Sequence, residues 1–156
     1  MTQNLNEQMI WDALQDVKDP EIPTVSVVEM GMVNRVTVHG EDVEVEMTPT
    51  FTGCPALDII RENVRERIAR EKGVRNVQVR FVMDPPWTSD RITPDGRLKL
   101  REFGIAAPPA SPLDVPPCPF CGAEGGDVDN LFGPTACRAI YYCRKCKQPY
   151  EGMKKV

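Results

Sequence analysis

Residues 33–47 read VNRVTVHGEDVEVEM. Successive side chains of a strand point to opposite faces, so Val36 and Val38 share a face in the first half. Val43, Val45 and Met47 share one in the second. Between the halves, HGED (His39–Asp42) is a reversal signal, and the stretch reads as a hairpin. Glu44 and Glu46 keep the opposite face of the second strand in water. A sheet with one wet face is an antiparallel sheet whose dry face needs a cover. The cover must come from the flanks.

Upstream, Leu5, Met9, Ala13 and Val17 recur at intervals of four, with Ile10 and Leu14 widening the stripe. This predicts a helix over 5–17, opened by Asn4 with Glu7 as a capping box and stopped before Pro20. Downstream, TPTFTGCPALDII (Thr48–Ile60) leads into a second helix with Leu57, Ile60, Val64 and Ile68 inward and Arg61, Glu62, Arg65 and Glu66 outward. Pro55 suits a first helical position, which makes Cys54 the N-cap. Gly73 ends the helix. VRNVQVRFVM (74–83) is a third strand with Val77, Val79, Phe81 and Met83 on one side, broken by DPPW. A short last helix runs from Thr93-Pro94 to Gly104. The expectation is an α+β fold: a small three-stranded, mostly antiparallel sheet with helices packed on one face.

AAPPASPLDVPP (Ala106–Pro117) holds five prolines in twelve residues and reads as a stiff linker. It separates a domain over 1–105 from a module over 118–156. The module contains CPFCG, with Cys118 and Cys121, and CRKCK, with Cys143 and Cys146. Each Cys-x-x-Cys turn can aim two sulfurs at one ion, and two turns make a tetrahedral four-sulfur site. A piece this small cannot stabilise itself by burial alone and needs a staple. A four-cysteine ribbon holding structural Zn²⁺ is the expectation. An iron site of rubredoxin type, a redox dithiol and disulfides are the alternatives. Cys137 is a fifth thiol of the module, more simply a small buried strand residue than a reserve ligand.

The whole chain has 156 residues and a formal net charge of −4, unlike a nucleic-acid-binding surface. Residues 1–105 carry 13 basic and 18 acidic side chains, a net of −5, and residues 118–156 carry six and four, a net of +2. No apolar run approaches the roughly 18 residues of a membrane span. The start, MTQNLNEQMIW, lacks a basic region followed by an apolar one. The expected place is the cytoplasm, where six cysteines mean metal or thiol chemistry rather than structural disulfides. No Gly-rich phosphate loop is present.

Cys54 stands apart from the other cysteines. At a helix N-terminus the dipole and free backbone N–H groups favour thiolate, which can be a nucleophile, a redox group or a metal ligand. A tolerated polar cap is the plainer reading. Around it, DPEIP (19–23), VEMGMV (28–33), TPTFTGCPA (48–56) and DPPWT (84–88) occur in that order, with LREFGIAAP (100–108) beyond. This resembles the MIP18 family, whose members assist iron–sulfur protein maturation. With a ribbon containing FGPTACRAIYYCRKC (132–146), nearly the whole chain looks like the family of D proteins of phenylacetate degradation.

The resemblance implies an accessory or maturation factor, not an enzyme, serving an iron–sulfur or diiron centre of a phenylacetyl-CoA epoxidase system. The alternatives are a structural adaptor within that complex and a thiol-dependent enzyme. It puts the reactive cysteine on Cys54 and the acidic motif on Asp19 and Glu21. Iron or an Fe–S cluster would visit Cys54 only transiently, because a cluster needs about four ligands. Two chains sharing a cluster, oxygen ligands from Asp19 and Glu21, and simple relay of metal or sulfide all stay open. The implied partners are epoxidase or reductase subunits or the Fe–S assembly machinery, and a second copy of the chain.

Asp19 and Glu21 are otherwise a helix stop and a surface charge. His39 is the only histidine, placed at a hairpin tip. Trp87 reads equally as a docking anchor and as cover for the core. Thr48, Thr50 and Thr52 would line the Cys54 pocket or simply favour strand.

Overall fold

The structure is a computed structural model, and it describes residues 5–50, 56–135 and 137–156. The chain separates into two compact units, Met1–Trp87 and Thr88–Val156.

The first unit opens with α1 (Glu7–Leu14), shorter than the expected 5–17. Its cap is Asn6, whose side-chain oxygen accepts from the Met9 N–H at 3.0 Å. Asn4, the expected cap, lies outside the described residues. Ile10, Ala13 and Leu14 form the buried stripe. β1 (Lys18–Asp19) and β2 (Ile22–Ser26) pair antiparallel as a two-stranded ribbon. β3 (Val33–His39) and β4 (Asp42–Met47) make the hairpin, with Val36 opposite Val45 and Val38 opposite Val43. Gly40 turns it at φ 61°, a left-handed conformation that costs glycine little.

α2 (Leu57–Ala69) buries Ile60, Val64 and Ile68 and leads to β5 (Asn76–Phe81). β5 lies parallel to β4, pairing Val43 with Val77 and Val45 with Val79. The sheet therefore has order β3-β4-β5, with one antiparallel and one parallel pair, instead of being mostly antiparallel. The cause is α2: it returns the chain to the starting end of β4, and such a crossover makes the next strand parallel. β5 is an edge strand. Val77, Val79 and Phe81 alternate as expected but are half-buried, and Met83 beyond them is exposed. α1 packs on α2 and β3, and α2 packs on β5, which gives the helical layer over the sheet.

The second unit contains a 3₁₀ turn (Ser89–Arg91), α3 (Pro94–Glu102), β6 (Ile105–Ala106), β7 (Asp127–Asn130), β8 (Arg138–Tyr142) and β9 (Pro149–Met153). Thr93 caps α3 by accepting from the Gly96 N–H at 3.0 Å. The sheet order is β6-β9-β8-β7, with β6 parallel to β9. Ala106, Ala139, Tyr141 and Tyr150 pack with Cys118 and Cys143 as its small core.

The division at Trp87/Thr88 falls upstream of the Pro-rich stretch expected to carry it. The segment after Trp87 is built into the second unit. Ser89 accepts from the Val156 N–H through Oγ at 3.1 Å and donates its own N–H to Val156 O at 3.2 Å. β6 adds a strand to the ribbon sheet, and the Tyr150 hydroxyl donates to Pro116 O at 2.6 Å. Residues 106–117 are pinned to the ribbon and are not a free spacer. Among the described residues no helix is long and apolar enough to cross a membrane.

Candidate metal centre

Two turns of one design hold the four ribbon cysteines. In the first, Cys118 N–H donates to Ala123 O at 3.0 Å and Gly122 N–H to Cys118 O at 2.8 Å. In the second, Cys143 N–H donates to Gln148 O at 2.9 Å and Lys147 N–H to Cys143 O at 3.0 Å. The residue after each second cysteine is left-handed, Gly122 at φ 77° and Lys147 at φ 61°. The pair of knuckles brings Cys118, Cys121, Cys143 and Cys146 together, all four sulfurs lying within 4.8 Å of one another.

Cys118 Sγ is 3.7 Å from Cys146 Sγ, and Cys121 Sγ is 3.6 Å from Cys143 Sγ. Four sulfurs each about 2.3 Å from a central Zn²⁺ lie about 3.8 Å apart, so the cage fits a tetrahedral ion. A disulfide needs about 2.05 Å, and these cysteines are free thiols. Cys118 and Cys143 are buried, Cys146 is half-buried and Cys121 faces solvent.

The electrostatics point the same way. The Cys146 backbone N–H, 3.5 Å from Cys143 Sγ, is the main cause holding the Cys143 thiol down at about 6. Burial, with the neighbouring sulfurs, pushes Cys146 up to about 12. Four thiolates crowded this closely repel one another unless a cation sits among them. Tyr150, beside the cage, is raised to about 12, first by burial and then by the charge of Cys118 and Cys143.

The other expected site residues are not gathered in this way. Cys54 lies outside the described residues, as do Thr52 and Pro55. The described end of α2 has Ala56 at its N-cap, with no side-chain acceptor, rather than the cysteine two residues earlier. Asp19 and Glu21 are half-buried, and Asp19 Oδ1 accepts from the Glu21 N–H at 2.9 Å, the short turn that lets β1 reverse into β2. Of its two readings, Trp87 takes that of core cover: it is 4% exposed and its indole N–H donates to Met30 O at 2.7 Å. His39 is exposed at the end of β3. Cys137 is half-buried, its sulfur 3.1 Å from Thr135 Oγ1, and it is no member of the four-sulfur cage.

Two polar arrangements escaped the sequence reading. Glu29 is buried; its Oε1 accepts from the Ser26 N–H at 3.0 Å, and Ser26 Oγ accepts from the Glu29 N–H at 3.0 Å. The Ser-x-x-Glu spacing of a capping box was there to signal it. Thr48 is also buried, and its hydroxyl accepts from Asn34 Nδ2 at 2.7 Å and reaches Pro85 O at 3.4 Å. That bond joins the exits of β4 and β5. No local spacing signals it, since it spans 37 residues of chain.

Residues 7–81 match the family described as iron-sulfur cluster assembly protein, and residues 109–154 match the PaaD zinc beta ribbon domain. Over 150 residues the chain is 39% identical to a protein of Escherichia coli (strain K12) named as the D subunit of 1,2-phenylacetyl-CoA epoxidase, covering 93% of this chain and 90% of that one. The chain belongs to this PaaD family. The assembly domain of this family member is also 38% identical, over 60% of the chain and 90% of the relative, to an Fe-S protein maturation auxiliary factor of Porphyromonas gingivalis. Two solved structures resemble the PaaD-family chain over a similar share of its length. A domain of unknown function from Bacillus anthracis has TM-score 0.57 and 29% identity, covering 60% of this chain and 90% of that one. A conserved hypothetical protein from Thermotoga maritima has TM-score 0.56 and 34% identity, covering 64% and 98%.

Proposed function

We propose that this protein is a non-catalytic maturation factor that helps equip an iron–sulfur or diiron centre of a phenylacetyl-CoA epoxidase system. One observation carries the reading: an iron-sulfur cluster assembly domain and a PaaD ribbon sit in one chain that resembles an epoxidase component along nearly its full length. Neither half alone would join cluster maturation to this client.

In this reading Cys54 is the working thiol, and Asp19 and Glu21 are its acidic neighbours. Iron or a cluster is cargo rather than a resident cofactor. One thiol supplies one of the roughly four ligands that a cluster needs, so release to a client with its own full ligand set is downhill. The protein partners are the epoxidase or reductase subunits or the assembly machinery, and the compartment is the cytoplasm. Zn²⁺ at Cys118, Cys121, Cys143 and Cys146 is structural. Bound there, it compensates the thiolate charge and ties the two knuckles together.

The test is Cys54→Ala in the full chain, assayed with the epoxidase components produced beside it. The expected result is loss of epoxidase activity with less iron and acid-labile sulfide in the purified components, while the variant keeps its zinc and its fold. A variant that leaves client metal content and activity intact would make the protein an adaptor instead.

A further inference from the structure

The ribbon sheet has one closed face and one half-open face. Strand register puts Ala106, Gly152 and Ala139 in one row and Ile105, Glu151 and Ile140 in the next. The first row belongs to the small core with Tyr141 and Tyr150, and its closeness shows at Gly152, where a Cβ would meet Tyr141 Cε2 at 2.8 Å. The face carrying Arg138, Ile140 and Tyr142 behaves differently along its length. At one end Arg138 and its partner Met153 are buried, and Arg138 meets Glu151 at 3.0 Å. At the other end Ile140 is half-buried and Tyr142 is 37% exposed.

Two aromatic rings wall the open end. Phe103, which caps α3, is 44% exposed, and Phe120, between the first pair of cysteines, is 59% exposed. Gly104, at φ 94°, lets the Phe120 ring approach its backbone; a Cβ there would stand 3.4 Å from Phe120 Cε1. With Ile105, Ile140, Pro149 and Tyr150 they line a cavity of about 460 Å³. β6 runs along it as the outermost strand of the sheet. Exposed aromatics around a groove at a sheet edge are the makings of peptide recognition rather than of enclosure.

The charges on the rim select the occupant. Glu151 is neutralised by Arg138. Arg101, on the last turn of α3, is exposed, makes no ion pair among the described residues and lines the neighbouring cavity with Pro119. Lys147, two residues before Pro149, is likewise exposed without an ion pair among them. Glu102 is the opposing charge beside Phe103, so the rim keeps a positive excess. We infer that this groove docks an extended segment of a partner protein in which apolar side chains are flanked by carboxylates. The apolar side chains lie between Phe103 and Phe120, and a carboxylate reaches Arg101. The site is independent of whatever Cys54 does.

The test uses the full, zinc-loaded, ¹⁵N-labelled chain and three synthetic hexapeptides, blocked at both ends: Gly-Asp-Leu-Phe-Asp-Gly, its double-lysine counterpart, and a version with both apolar residues changed to Ala. The first should shift the Gly104, Ile105, Phe120 and Ile140 amides saturably. The lysine peptide should bind about ten-fold more weakly, and the alanine peptide should not bind. Arg101→Glu should reverse the charge preference, and Phe120→Ala with zinc retained should weaken binding at least about five-fold. Three results would overturn the inference: groove amides unmoved at about 5 mM acidic peptide, equal binding of the acidic and basic peptides, or the same amides shifting with protein concentration alone, which would make the occupant a second copy.

Discussion

The two units solve the problem of staying folded in opposite ways. In Met1–Trp87 helices cover a sheet, and Ile10, Leu14, Val25, Val45, Val64 and Ile68 are wholly or almost wholly out of water. In Thr88–Val156 the ribbon core is two alanines and two tyrosines around two of the ligand cysteines. Burial at about 25 cal/mol per Å² can sustain the first. The second has too little to bury and depends on its ion. The comparison can be read spectroscopically, because both tryptophans, Trp11 and Trp87, are in the first unit and all three tyrosines, Tyr141, Tyr142 and Tyr150, are in the second.

Removing the ion should produce the largest break. The structural sites of zinc peptides contribute on the order of 10 kcal/mol to folding. Chelation, or Cys143→Ser, should therefore erase the tyrosine near-ultraviolet signal and drop metal content from one ion per chain, while tryptophan emission stays native. Tryptophan emission that shifts to the unfolded value together with the tyrosine signal would mean that the first unit also relies on the ion. The converse break is Leu14→Ala, which opens a cavity under α1 and should cost about 3 kcal/mol. It should lower the transition followed by tryptophan and leave zinc content untouched. A loss of zinc in that variant would contradict the division of labour.

How much of this was legible in the sequence followed the same division. The four ligands could be read because metal coordination is a rule about spacing, and Cys-x-x-Cys encodes it locally. The hairpin could be read because Gly40 and the alternating valines are local too. β5 was found as a strand but not as a parallel one, since Val77, Val79 and Phe81 alternate identically in either direction and only the path of α2 decides. The cap of α1 slid from Asn4 to Asn6 because the sequence offers two asparagines two residues apart, both with suitable chemistry. Trp87 was ambiguous because an indole serves a core and an interface equally well; the Met30 carbonyl, distant in sequence, settles it. The prolines of 106–117 marked irregular backbone correctly, but irregular does not mean untethered, and the Tyr150 hydroxyl that holds them lies downstream.

A finer comparison is available inside the metal unit. The knuckles match hydrogen bond for hydrogen bond, yet one places Gly122 and the other Lys147 in the left-handed position. A side chain there costs roughly 1–2 kcal/mol by crowding its own carbonyl, partly offset by the extra freedom glycine has in the unfolded chain. Lys147→Gly should thus stabilise the unit by about 0.5–1 kcal/mol and slow zinc release to a chelator. An unchanged or faster release would mean that the lysine side chain contributes something that outweighs the strain.

The smallest effect expected concerns how the second knuckle is fastened to the hairpin. Asp127 at the start of β7 grips the Arg144 guanidinium through two hydrogen bonds, one of them Nε to Oδ2 at 2.9 Å. The bond to Arg144 holds the Asp127 carboxyl below its ordinary value. A carboxyl whose folded value is depressed adds stability that is fully present above the unfolded value of about 3.9 and fades as pH falls through the folded one. Both partners are open to solvent, so the contribution is screened and small. Asp127→Asn should lower the unfolding temperature of the metal unit slightly at pH 7, and the gap to the parent should close as pH drops below about 4. Acid also strips zinc by protonating the thiols, but it does so in both proteins, and the difference between them cancels that loss. Arg144→Gln should behave like Asp127→Asn, and the double variant should be no worse than either alone. A gap that persists unchanged at low pH would show that Asp127 acts through packing, leaving the zinc cage as the sole tie between knuckle and hairpin.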